Sequence, residues 1–328
     1  MINRRSFVKS TAAVPLVATG LAAMSTRVMA QDGEPVIIGS KDFTEQFILG
    51  QMYLKVLENA GIPTEDRMNL GGTQVAHQAL VEGEISMYPE YTGTGLTEVL
   101  QIPLDEVLGG GATPDASPIA AATPAAGGDV SQIVYDRVKA EYEEQFGLTW
   151  LERSPANNTQ ALAVKRAFSE ETGITTISQL AEVADQYVIS APADFPERED
   201  GQLGLARVYG EGFEKIEVLP VAPGLKYQAL LDDEAQVVLA FGTDGQISGY
   251  DLVLLEDDLG LWPPYNVAPV IQQSVLESYP EIEELLNAVT TLLTDEALSA
   301  LNWRVDGDEK AEPADVAQAF LEENGLLG

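Results

Sequence analysis

The run Val36-Ile37-Ile38-Gly39-Ser40-Lys41-Asp42-Phe43-Thr44-Glu45-Gln46 decides how this chain is read. A short β-branched apolar segment stops at Gly39 and polar residues follow at once, the pattern of a buried strand giving way to a loop. Asp42 and Glu45 stand at capping-box spacing, which predicts a helix running to Asn59 with Gly61 ending it. Phe47, Ile48, Met52, Leu54 and Leu57 supply its buried stripe. Beyond it, the pattern predicts a strand over residues 65–70, a helix over 74–82 and a strand over 85–88. That β-α-β-α-β order implies a parallel sheet. Small molecules bind beyond the carboxyl ends of such strands. Both the first polar run and Tyr88-Pro89-Glu90-Tyr91-Thr92-Gly93-Thr94 fall at that edge.

The alternation returns later, so a second sheet is expected. Strands are predicted over 161–165, 187–191, 215–221 and 236–241, with helices over 178–184, 202–209 and 225–233 between them. A helix over 130–146 and a crossing segment over 149–158 precede this part. Strands over 251–255 and 267–271 are expected to lead back to the first half, and the last 50 residues read as helical. Pro313 and Gly325 bracket the final helix in the usual order. Residues 109–128 are Gly, Ala, Pro, Thr and Ser with almost nothing to bury, and read as a disordered insert.

Composition narrows the function. At 328 residues with 45% hydrophobic content, two ordinary domains can each bury a core. There is no cysteine, which removes thiol nucleophiles, disulfides and thiolate metal sites. His77 is the only histidine and reads as a solvated residue on the polar side of a short helix. The net charge of -34 repels nucleic acid and anionic membranes. No nucleophile elbow, metal-ligand spacing or phosphate loop is found, so neither enzyme chemistry nor a cofactor is expected. An exported hydrolase with paired carboxylates is the weaker alternative, since 52 acidic residues make pairs by chance.

Residues 1–30 have the three regions of an export signal. Asn3-Arg4-Arg5-Ser6-Phe7-Val8-Lys9 resembles the twin-arginine motif, an apolar stretch covers 11–24, and Val28-Met29-Ala30 is a small-residue end that predicts cleavage after Ala30. The rival reading is a retained anchor, but the stretch falls short of the roughly 20 apolar residues that span a bilayer.

Taken with Asn69-Leu70-Gly71-Gly72-Thr73 and Gly83-Glu84-Ile85, the two polar runs closely resemble the substrate-binding proteins of glycine betaine, carnitine and choline (osmoprotectant) ABC importers. The resemblance implies an α/β, two-lobe, type II periplasmic-binding-protein fold with its ligand cleft between the lobes. Lobe I would take residues 34–156 and 263–328, and lobe II residues 157–262. It also implies an extracytoplasmic, monomeric protein that hands a small zwitterion to membrane permease subunits. A ligand sensor without a transporter is the other binding-protein reading.

The resemblance places site residues as well. Lys41 and Arg198 match carboxylate-binding positions, and a guanidinium suits bidentate pairing. The bland reading of Arg198 is a salt bridge to Glu197 or Glu199. Tyr91, Tyr265 and Phe241 match positions of an aromatic cage for a trimethylammonium group, which donates no N–H hydrogen bond. Asn158 and Thr94 match polar contact positions. Where relatives carry a fourth cage tyrosine this chain has Gln160, which implies either a weaker cage or a ligand with N–H or O–H groups.

Overall fold

The computed structural model describes residues 34–107, 129–193, 195–198, 200–221 and 225–327. The expected export signal and the expected insert lie outside the described residues.

Two five-stranded sheets organise the chain. The first contains β1 (Val36–Gly39), β2 (Thr64–Arg67), β3 (Met87–Tyr91), β4 (Leu148–Trp150) and β10 (Val267–Gln272), in the order β2-β1-β3-β10-β4. The second contains β5 (Gln160–Lys165), β6 (Val188–Ala191), β7 (Glu217–Pro220), β8 (Val237–Phe241) and β9 (Leu252–Leu254), in the order β7-β6-β8-β5-β9. Neither sheet is wholly parallel. β2, β1 and β3 run parallel as the crossover rule requires, but β10 is antiparallel to both β3 and β4. Likewise β6 is parallel to β7 and β8, whereas β5 is antiparallel to β8 and β9. In each sheet the strand antiparallel to both its neighbours, fourth in the order, is one that the chain enters by crossing from the other half.

The helix predicted after Asp42 forms as α1 (Thr44–Asn59), but it is not started by the capping box. Phe43 is the N-cap and makes no side-chain cap bond. Glu45 turns inward instead, to a cluster of side-chain donors described below. The third strand also differs, running to Tyr91 instead of stopping near Tyr88, because β10 pairs with it residue by residue from Met87 to Tyr91. The predicted strand over 251–255 becomes β9 and joins the second sheet beside β5, so only β10 returns to the first.

Apolar burial follows the two sheets. Ile48, Leu49, Met52 and Tyr53 of α1 pack with β1 and with the C-terminal helices Ile282–Thr290 and Pro313–Glu323. The opposite face of the first sheet is covered by helices α2 (Thr73–Val81) and α3 (Val130–Phe146), around Tyr88, Tyr142 and Trp150. His77 belongs here and is not solvated. It is 7% exposed, edge-on to Phe146 at 4.8 Å and to Tyr142 at 5.4 Å. The polar neighbours Gln74 and Gln78 made its side of the helix look wet, but α3 crosses over it. Burial accordingly lowers its pKa below the ordinary histidine value. No helix among the described residues is long and apolar enough to cross a membrane.

Candidate functional site

The strand directions bring the candidate residues together. β3 ends at Tyr91 and β8 at Phe241, and their antiparallel partners begin there, pairing Val267 with Tyr91 and Gln160 with Phe241. Lys41 lies just past the end of β1, and Tyr265 just before the start of β10. The two crossings are sewn to one another between them. The Tyr265 backbone N–H donates to Asn157 Oδ1 at 2.6 Å, the Asn158 backbone N–H donates to the Tyr265 carbonyl at 3.1 Å, and Thr159 Oγ1 donates to the Pro263 carbonyl at 2.9 Å.

A cavity of about 440 Å³ opens at this meeting point, within the range of small-molecule sites. Lys41, Tyr91, Thr94, Asn158, Gln160, Phe241 and Tyr265 all line it. Arg198 is not among the lining residues. Asp42, Phe43, Gly72, Thr73 and Asp244 complete the wall, and the sequence pattern marked none of these as a ligand-contact position.

Phe43 is the most consequential addition. Its ring stacks on Tyr91 with centroids 6.2 Å apart and planes 24° apart, and it remains 39% exposed beside the cavity. The cavity therefore has four rings despite Gln160. The available signal was an aromatic residue at a helix N-cap, outside the buried stripe of α1. Tyr265 is seated by a glycine: a Cβ on Gly93 would lie 2.8 Å from three atoms of its ring, so the ring can lie there only because that side chain is absent. Phe241 is 41% exposed, and the Lys226 ammonium sits 5.0 Å from its centroid. Lys226 is in turn held by Asp244 at 3.1 Å.

The two basic candidates are already paired. Lys41 is 4% exposed and its ammonium meets Glu90 at 2.5 Å. Glu90 also accepts from the Tyr88 hydroxyl at 2.9 Å and the Tyr91 backbone N–H at 2.7 Å. A buried lysine needs such a partner to remain charged. Arg198 forks onto Asp200, donating from Nε at 2.7 Å and Nη2 at 2.6 Å. Gln160 Nε2 donates to the same carboxylate at 2.6 Å, so Arg198 reaches the cavity wall through Asp200 and Gln160. Hydrogen bonds from Arg198 hold the Asp200 carboxyl below the usual range against the opposing effect of burial.

Behind Tyr91 lies Glu45, 2% exposed. Its carboxylate accepts from the Tyr91 hydroxyl at 2.7 Å, Asn158 Nδ2 at 3.1 Å and Asn302 Nδ2 at 2.8 Å. Burial raises its pKa above the ordinary glutamate value, and the hydrogen bonds it accepts from Thr243, Tyr91 and Asn302 oppose that rise by favouring the charged form. Burial, followed by the neighbouring Glu45 charge, also pushes the Tyr91 phenol well above the ordinary tyrosine value, so it stays protonated and donates.

Two sheets, two crossings and a cavity where strand ends converge define a bilobal solute-binding fold of the type II periplasmic class. The family model described as the substrate binding domain of ABC-type glycine betaine transport systems matches residues 34–323, and the chain belongs to that family. It is 32% identical to the glycine betaine-binding protein YehZ of Escherichia coli over 93% of this chain and 95% of that one. It is 30% identical to the carnitine transport binding protein OpuCC of Listeria monocytogenes, covering 90% of this chain and 88% of the relative. It also shares 30% identity with the ergothioneine transport permease/ergothioneine binding protein EgtU of Helicobacter pylori, over 90% of this chain but about half (49%) of that longer protein. These relatives are binding proteins of transporters and not enzymes. Among solved structures, apo YehZ from E. coli superposes with a TM-score of 0.75 at 30% identity, covering 90% of this chain and all (100%) of that one.

Proposed function

We propose that the chain is the extracytoplasmic receptor of an ABC importer, binding a trimethylammonium zwitterion of the glycine betaine class and delivering it to membrane permease subunits for osmoprotectant uptake. The observation that carries this reading is the convergence of Phe43, Tyr91, Phe241 and Tyr265 on one cavity. A quaternary amine offers no N–H, so ring faces are what can hold it, at about 0.5–2 kcal/mol per well-placed ring. The glycine betaine and carnitine receptors among its relatives support the assignment.

In this reading residues 34–156 with 263–328 form one lobe and 157–262 the other, and the sewn crossings act as the hinge. The ligand carboxylate competes with Asp200 for Arg198 as the lobes close, while Lys41 contributes from the first lobe. Residues 1–30 direct twin-arginine export. The receptor works as a monomer and needs no cofactor.

A second ligand within the class is favoured by one detail. Asn158 Oδ1 is buried and has no hydrogen-bond partner, and Gln160 spends its amide N–H on Asp200. Both amide oxygens then face the task of accepting, which suits a betaine that also carries ring N–H groups, as ergothioneine does. Calorimetric titration of ligand-free protein with glycine betaine, proline betaine, carnitine, choline and ergothioneine tests both readings. Failure to bind any of them defeats the proposal, and a preference for ergothioneine selects the second reading.

A further inference from the structure

Glu45 is the one carboxylate at this site that is fully enclosed and yet, among the described residues, meets no cation. Lys41 pairs with Glu90, Lys226 with Asp244, and Arg198 with Asp200. Glu45 is instead met by neutral donors from separate parts of the chain: Tyr91 at the end of β3, Asn158 in the first crossing, Asn302 in the helix Asp295–Asp306, and the Thr243 side chain after β8. Burying an unpaired charge is costly, and neutral hydrogen bonds offset that cost only in part.

We propose that Glu45, kept ionised by the side-chain donors Tyr91, Asn158 and Asn302 that converge on its carboxylate, is a positioning and specificity-determining residue whose negative charge, relayed through Tyr91 and Asn158, tunes the cavity toward the cationic head of its ligand. The inference rests on the quaternary-ammonium reading above and adds to it the source of charge selectivity. Two physical routes operate. A phenol donating to a carboxylate has a more electron-rich ring, which strengthens the attraction of its face for a cation. The carboxylate accepts only, so it fixes the Asn158 amide with Nδ2 toward itself and leaves Oδ1 as the oxygen free to accept. Glu45 is enclosed and Tyr91, which it holds, lines the cavity, so its field there is weakly screened. In a closed complex the ligand's own positive head then supplies the countercharge that the protein withholds. The same hub holds parts of both halves together, since Asn302 Nδ2 also donates to the Thr243 carbonyl at 2.8 Å.

The test compares two carboxylates of one shape, one with a cationic head and one with an uncharged head. 3,3-Dimethylbutanoate is glycine betaine with carbon in place of the quaternary nitrogen. Wild-type protein, Glu45→Gln and Tyr91→Phe are titrated calorimetrically with glycine betaine, ergothioneine and 3,3-dimethylbutanoate, with thermal melts alongside. Loss of the charge is expected to weaken the ligands with a cationic head by about tenfold while leaving the isostere with the uncharged head within about twofold, the scale of one unit charge acting on that head across a poorly screened site. Tyr91→Phe keeps the ring but cuts the relay, and is expected to lower the cation-to-neutral ratio by a smaller factor in the same direction. It keeps the question answerable if Glu45→Gln does not fold. Equal weakening of the ligands with cationic and uncharged heads, or an unchanged ratio in the variants, would overturn the inference, because a merely structural Glu45 has no reason to distinguish them. A wild-type protein that binds neither cationic ligand overturns the functional reading itself, which is a separate result.

Discussion

The two walls of the cavity are built differently. On the first-sheet side Tyr91 is part of the core, 4% exposed, its hydroxyl fixed by Glu45 and its ring stacked on Phe43. On the second-sheet side Phe241 is 41% exposed at the end of β8, and its named electrostatic neighbour is the ammonium of Lys226. On the first wall, core packing and cavity lining use the same side chain. The second is looser and polar, with Gln160 and Asp200 linking it to Arg198. Under the proposed function, the first wall is the preformed face and the second is the one that adjusts on closure.

The largest expected effect comes from removing the first wall. Tyr91→Ala should cost about 3–5 kcal/mol of stability, as deletion of a buried aromatic does. It should also abolish tight binding of a trimethylammonium ligand; chemical denaturation and calorimetry measure the two losses. If stability holds while binding is lost, Tyr91 is not the shared residue this comparison makes it. Next comes Gly93→Ala, whose Cβ would stand 2.8 Å from the Tyr265 ring. Displacing that ring should cost about 1–3 kcal/mol, the usual range for overpacking. Betaine affinity should fall with it, whereas an affinity equal to wild type would show that Tyr265 is not held by this contact.

Phe241→Ala sharpens the comparison from the other side. The ring is half out in solvent, so stability should change by less than about 1 kcal/mol, while a trimethylammonium ligand should lose about 1 kcal/mol of binding. A melt lowered as far as that of Tyr91→Ala would make the two walls alike.

A pH effect is expected from the first half, which holds the only histidine. His77 has a folded-state pKa below the ordinary 6.5, through burial. The unfolded chain therefore takes up the proton first, and stability is full above pH 6.5 and declines as pH falls below it. His77→Leu should remove that part of the decline; urea denaturation at pH 7.5 and 5.5 would read it, and an identical decline in both proteins would place the sensitivity elsewhere. The smallest effect is expected for Gln160→Tyr, which adds a ring to the looser wall but gives up the bond to Asp200. Betaine binding should tighten by roughly 0.5 kcal/mol. Weakened betaine binding would mean that the Gln160 link to Asp200 matters more than a further ring.

Element order was legible in the chain because apolar periodicity and turn residues are local signals. Helix Gln202–Tyr209 and the C-terminal helices lie where that pattern puts them. The strand-edge motifs at Gly39-Ser40-Lys41 and Tyr91-Thr92-Gly93-Thr94 are local signals too, and Lys41, Tyr91 and Thr94 line the cavity. Three things depended on contacts between distant segments. The sheets are mixed because β10 and β5 enter from the opposite half, a pairing that no local pattern encodes. His77 is dry because α3 lies over it, 60-odd residues further along the chain. Glu45 stands at capping-box spacing, yet it gives up that local partner for Tyr91, Asn158 and Asn302, the last 257 positions away. Sequence fixes which residues are available and how often they recur. Tertiary structure decides which charges are shielded from water and which donors reach them, because burial and hydrogen bonding are set by whatever packs against a side chain and not by its neighbours along the chain.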